Sequence, residues 1–248
     1  METDPRFAAL LRFFEGLPRQ GPGDDRYTEH LYALLDLPPA PRAADLGSGS
    51  GAASLVLARL GAEVTAVDIH RPFLAQLEAT AEAAGISERV RTLVASMDDL
   101  PAGNGPFDLV WSEGAVYIIG FDRGLALWRD LVVPGGYLVV SEMTWLEDDP
   151  PEGAKGYWER AYPAMRTVAE NEAAVRAAGY AWLGSVRLPD TAWETFFRPQ
   201  RERCAEWRAR GPTPEEEAAI EEIEEEIRLL EAYTGAFGYV FYLMRREG

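Results

Sequence analysis

From residue 42 onward the chain alternates short apolar runs with stretches whose apolar positions recur every three to four residues. That alternation predicts βαβ units and a mostly parallel sheet. Arg42–Leu46, Glu63–Asp68, Val90–Ala95, Phe107–Ser112 and Gly136–Glu142 read as five strands. Helices are predicted between them: about Gly51 to Leu60 with Gly61 as the stop, Pro72 to Gly85 with Phe73, Leu74, Leu77 and Ala81 on one face, and about Arg123 to Val132. A helix over about Thr167–Ala178, closed by Gly179, precedes a strand at Trp182–Leu188, and Tyr239–Met244 makes a seventh strand. Residues 190–236, between the last two strands, are too many for a hairpin and read as a helical insertion, because Ile220, Ile223, Ile227 and Leu230 recur at helical spacing. The glutamates around that stripe read as a solvated outer face, with lid closure or a dimer contact as the alternative. Ahead of the sheet, helical patterns at about 5–15 and 26–36 flank the Gly/Pro-rich loop Arg19–Asp25, so that residues 1–40 form a helical segment able to cover a site.

Composition narrows this picture. A chain of 248 residues with 47% hydrophobic residues can bury the core of one large domain despite a net charge of −17. That charge opposes binding to a phosphate backbone, and no basic stripe offsets it, so nucleic acid is not an expected partner. A single cysteine, Cys204, excludes an internal disulfide, and two histidines, His30 and His70, make no metal-ligand cluster with it. Uncharged runs such as Leu46–Ala58 and Ala232–Met244 fall short of the roughly 18 residues that suggest a membrane span. The first residues mix acids and arginines where a signal peptide needs a continuous apolar stretch, so a cytoplasmic location is expected.

Candidate chemistry begins at Ala44-Asp45-Leu46-Gly47-Ser48-Gly49-Ser50-Gly51-Ala52, between a strand and a helix. Glycines let a backbone turn tightly and approach a ligand, and a helix N-terminus offers free N–H groups. Gly47, Gly49 and Ala52 also satisfy a relaxed dinucleotide fingerprint with Asp68 ending the next strand, so an NAD-dependent oxidoreductase is one reading. Three features favour another: Asp45 directly before the loop, a second acidic site at Ser96-Met97-Asp98-Asp99-Leu100-Pro101, and a C-terminal order of helix, strand, long insertion and strand.

Together, DLGSGSG, AVDIH, ASMDDLP and FDLVWSEGAVYIIGF resemble the class I S-adenosylmethionine-dependent methyltransferases, in their small-molecule, ubiquinone/menaquinone methyltransferase-like branch, over about residues 20–248. The resemblance implies a Rossmann-like α/β fold with seven mostly parallel strands in the order 3-2-1-4-5-7-6, the last antiparallel, helices on both faces and a helical lid. It implies S-adenosylmethionine as cofactor and residues to hold it. Gly47, Ser48, Gly49 and Gly51 would pass under the methionine moiety, and Asp45 would meet its amino group together with the carbonyl of Ser112. Asp68 would accept from both ribose hydroxyls, Asp98 would take the adenine amino group, and the Met97 N–H would meet a ring nitrogen. Ile69 and His70 would flank the nucleoside, while Arg19 to Gly23 would close over the carboxylate.

Methyl transfer from a sulfonium needs chiefly an acceptor lone pair held in line and water excluded. A base is required only where the acceptor loses a proton, and Glu113 and Tyr117, after the fourth strand, are the candidates. Trp145, Tyr157, Trp158 and Tyr162 follow the fifth strand, where a substrate loop belongs. The acceptor is expected to be a small molecule methylated at N or O. A protein that binds the cofactor without catalysis remains the non-enzymatic alternative, and the exposed insertion leaves a homodimer open.

Overall fold

The central strands carry side chains buried on both faces, which requires helices on both sides of the sheet. The computed structural model describes residues 4–248. Residues 1–3 of the N-terminal helical segment lie outside that range. In chain order the elements begin α1 (Pro5–Phe14), α2 (Asp25–Ala33), β1 (Arg42–Leu46), α3 (Ala52–Arg59), β2 (Glu63–Asp68), α4 (Arg71–Ala83) and β3 (Val90–Val94). They continue β4 (Phe107–Ser112), α5 (Phe121–Trp128), β5 (Val132–Trp145), α6 (Glu152–Ala161), β6 (Arg166–Thr167) and α7 (Val168–Ala177). The chain finishes β7 (Tyr180–Arg187), α8 (Asp190–Ala209), α9 (Pro214–Ala232) and β8 (Phe237–Arg246).

The strands lie in the order β3-β2-β1-β4-β5-β8-β7, with the two-residue β6 paired to β5. Every contact from β3 across to β5 is parallel, and β8 runs antiparallel to both β5 and β7. With β6 set aside, this is the expected order. The chain leaves β1 toward β2 and β3, then returns to β4 on the other side of β1. That reversal opens a crevice at the carboxyl ends of β1 and β4, where loops diverge.

Neighbouring residues feed opposite layers of the core. Trp111 joins Phe13, Leu57, Phe196, Ile223 and Phe241 under α1, α3, α8 and α9, while Val110 joins Leu46, Trp128, Val140 and Tyr242 under α5 and α7. Both α7 and α9 start with a reciprocal cap, Thr167 with Glu170 and Thr213 with Glu216, which satisfies two otherwise free N–H groups at each start.

Three elements differ from expectation. β5 starts at Val132 rather than Gly136, where Phe107 of β4 pairs with it, and runs on to Trp145, because β8 pairs with it from Tyr137 to Trp145. The predicted helix at 123–132 is α5 over 121–128 followed by a tight turn at 129–131. The segment after β5 holds α6 and β6, neither visible as a periodic pattern. Among the described residues no helix is long and apolar enough to cross a membrane.

Candidate active site

The glycine loop leaves β1 with positive φ at Gly47 (75°) and Gly49 (54°), a region that side-chain-bearing residues rarely adopt. Space is also absent. A Cβ on Gly47 would lie 2.5 Å from the Ala115 Cβ, and one on Gly49 would lie 2.5 Å from the Gln20 Oε1. The loop is tied to β2 by the N–H groups of Gly47 and Ser48, which donate to the Val67 carbonyl at 2.9 and 3.0 Å.

Asp68, at the end of β2, is oriented by backbone alone: its Oδ2 accepts from the Gly49 N–H and its Oδ1 from the His70 N–H, each at 2.8 Å. A carboxylate oxygen has more than one acceptor site, so both oxygens keep capacity for a ligand. Asp45 is 1% exposed, and burial pushes its carboxyl up to about 7, against the pull of the Ser54 hydroxyl that donates to it at 2.6 Å. Asp98 is held below its ordinary range, first by the Ser96 hydroxyl and also by Arg123 at 2.8 Å. The loop bearing Met97 is pinned by its carbonyl, which accepts from the Trp128 indole at 2.8 Å.

The segment between α1 and α2 reaches over this loop. Gln20 accepts from the Ser50 N–H at 2.6 Å, a contact sequence reasoning missed and for which the loop pattern held no signal. Arg19 pairs with Glu113 at 3.1 Å and with Asp25 at 2.6 Å. Gly23 sits against that pair, since a Cβ there would meet both the Arg19 guanidinium and the Glu113 carboxylate. Burial raises the Glu113 carboxyl, while Arg19 and the Trp111 indole oppose the shift. His70 contacts Glu15 at 2.9 Å.

These groups border one cavity of about 620 Å³, a size typical of ligand pockets. Of the candidate residues, Arg19, Asp45, Gly47, Ser48, Gly49, Asp68, Ile69, His70, Met97, Asp98, Glu113 and Tyr117 line it. Gly23, Gly51 and Ser112 do not: Gly51 packs on Leu77, and the Ser112 hydroxyl donates to the Leu46 carbonyl at 2.8 Å. Tyr117 lines the cavity with 44% of its surface exposed, and burial of its phenol pushes it up to about 12, with Glu226, Glu142 and Glu222 adding to the shift.

The far wall departs from expectation. Trp145, Tyr157, Trp158 and Tyr162 do not line the cavity; Trp145 and Trp158 pack on Phe237, Tyr157 packs on Trp158, and Tyr162 lies edge-on to Tyr117. The aromatic wall is instead Phe7, Phe14, Phe196 and Tyr239, joined by Glu222, Ile223 and Glu226 of α9. The acidic helix is therefore not only a solvated face. Ile223 and Ile227 turn it inward against α1 and α8 and carry the flanking glutamates with them. His30 is exposed on α2, and Cys204 is buried with its thiol pushed up to about 11.

A family model described as "Methyltransferase domain" matches residues 43–136, which span the glycine loop, Asp68, Asp98 and Tyr117. Demethylmenaquinone methyltransferase of Mycolicibacterium gilvum is 32% identical over 182 residues, which cover 67% of this chain and 74% of that protein. The chain belongs to the class I S-adenosylmethionine-dependent methyltransferases. This methyltransferase is also similar in fold to solved structures. A SAM-dependent methyltransferase from Geobacter sulfurreducens, in complex with S-adenosylhomocysteine, superposes with a TM-score of 0.83 at 21% identity, covering 96% of this chain and 97% of that one. Another, from Thiobacillus denitrificans and also with S-adenosylhomocysteine, gives 0.82 at 21% identity, covering 97% and 98%. Membership of that family, rather than the likeness in fold, makes S-adenosylmethionine the cofactor.

Proposed function

We propose that this methyltransferase binds S-adenosylmethionine along the glycine loop and transfers the methyl group to N or O of a small molecule held against the aromatic wall. One observation carries the reading: a single cavity joins the glycine loop, Asp68 and Asp98 at one end to Tyr117, Phe196 and Tyr239 at the other. Further support comes from Ser48, whose buried hydroxyl has no partner among the described residues. The residues present suit the cofactor.

In this reading Asp68 receives the ribose hydroxyls, Asp98 the adenine amino group and the Met97 N–H a ring nitrogen, with Ile69 and His70 beside the nucleoside. Asp45 serves the amino group and Arg19–Pro22 covers the carboxylate, while Ser112 and Gly23, which do not line the cavity, support the Leu46 strand end and the Arg19–Glu113 pair from behind. The bound sulfonium supplies an electrophilic methyl group, whose bonding pair stays on sulfur. Tyr117 orients the acceptor as a hydrogen-bond donor, since its phenol stays protonated at neutral pH. Glu113, engaged by Arg19, holds the covering segment in place rather than taking a proton. The described part of the N-terminal segment, residues 4–40, and the insertion 190–236 form the lid of a single methyltransferase domain and exclude water from the reacting atoms.

Calorimetric titration with S-adenosylhomocysteine and with NAD, followed by a mass-spectrometric assay for S-adenosylhomocysteine released with small amines, phenols and carboxylic acids, tests this. Binding of S-adenosylhomocysteine and turnover with at least one such class is the expected result. Tight NAD binding without S-adenosylhomocysteine binding would overturn the cofactor assignments, and turnover only on a macromolecule would overturn the acceptor.

A further inference from the structure

Six carboxylates border the cavity, and five have partners. Asp45 takes the Ser54 hydroxyl, Asp68 two backbone N–H groups, Asp98 both Ser96 and Arg123, Glu113 the Arg19 guanidinium, and Glu222 the guanidinium of Arg6 on α1. Glu226, one helical turn beyond Glu222, lines the cavity with no hydrogen bond or ion pair among the described residues. Burial pushes its carboxyl up to about 7, and the Glu222 charge acts in the same direction.

An ionised carboxylate in a recess without a counter-charge is costly unless a ligand of opposite sign compensates it. The two arginines that line the cavity do not serve this purpose, because Arg19 is engaged by Glu113 and Asp25, and Arg123 by Asp98. The surrounding walls are aromatic: Tyr117 and Tyr239 border the same space, with Phe14 stacked on Phe196 at 6.2 Å between ring centres. Aromatic faces attract cations, most strongly where water is excluded. An anionic acceptor would meet repulsion here, and a neutral one would leave Glu226 to take up a proton rather than meet a counter-charge.

We propose that Glu226 sets the acceptor specificity of this enzyme, holding a positively charged amine or ammonium group of the small-molecule acceptor against Tyr117 and Tyr239. The proposal rests on the reading of the cavity as a joint cofactor and acceptor site. The test uses two probes of the same shape that differ in charge, choline and its carbon analogue 3,3-dimethyl-1-butanol, titrated into the protein saturated with S-adenosylhomocysteine. Choline is expected to bind at least about tenfold more tightly. In Glu226→Gln, which keeps the side-chain shape, the preference should fall below about threefold with unchanged affinity for S-adenosylhomocysteine. Equal affinity of the two probes for the unaltered protein, no binding of choline, or an undiminished preference in Glu226→Gln would each overturn the proposal. Failure of S-adenosylhomocysteine itself to bind would instead overturn the reading of the cavity, so the two failures are told apart in one series.

Discussion

At the glycine-loop end of the cavity each carboxylate is held by backbone N–H groups or by a hydroxyl close in sequence, whereas at the α9 end Glu226 faces aromatic residues drawn from both ends and the middle of the chain. The first end is built by local turns at strand termini, and its chemistry arrives with the motif. The second is built only when α1, α8 and α9 dock on the sheet, and its charge is not neutralised by the protein. On the proposed reading, one end receives the cofactor and the other a charged acceptor.

Asp45 gives the largest effect by which to probe the contrast. Its folded carboxyl is raised to about 7 from an ordinary value of 3.8, so the folded state holds the proton more tightly than the unfolded chain does. The corresponding stability is complete below the unfolded value and is lost as pH rises through about 7. Asp45→Asn should therefore be more stable than the native protein at pH 8, by up to about 4 kcal/mol, with the difference vanishing near pH 4. Urea titrations at both pH values check this. An unchanged difference across that range would mean that burial at the motif end has no electrostatic cost.

Gly47→Ala should weaken S-adenosylhomocysteine binding by about 100-fold while the far wall remains intact, because the new methyl meets Ala115 in a left-handed backbone. Calorimetry measures the loss, and near-native affinity would show that the loop yields more freely than its contacts indicate. Asp68→Ala should cost about tenfold to thirtyfold in the same assay and about 1–3 kcal/mol of stability, since the Gly49 and His70 N–H groups lose their acceptor. Circular dichroism separates that loss from unfolding.

The smallest effect is expected at the other end. Tyr117→Phe should leave S-adenosylhomocysteine affinity unchanged and lower turnover, with an acceptor found by screening, about fivefold, the scale of one lost hydrogen bond. A fall in cofactor affinity would erase the division between the two ends. Equal turnover would remove the phenol from acceptor positioning.

The strands, the glycine loop and the acids at 45, 68 and 98 were legible because each stands out in a local motif or a repeating strand and helix period, whereas the strand order came only with the family resemblance. Asp68 illustrates this: its position at a strand end, two residues before His70, is enough for its carboxylate to cap the turn. The full length of β5 was not legible, since β8, its partner, lies nearly a hundred residues later. The aromatic residues after β5 were misplaced for a related reason. Proximity in sequence to a strand end suggested the cavity, but packing on Phe237 draws Trp145 and Trp158 away from it.

The same limit explains α9. Its isoleucine stripe specified a helix with one buried face, yet nothing within the helix states what that face will meet. Local sequence by itself determined the individual strands and helices, the loop and the carboxylates at the strand ends, because short-range backbone geometry and periodic burial act within a few residues. Only tertiary structure decided that Glu226 faces the cavity without a counter-charge and that Tyr239, rather than Trp158, stands near it. Those outcomes depend on how helices far apart in sequence dock together, and on which polar groups that docking deprives of water.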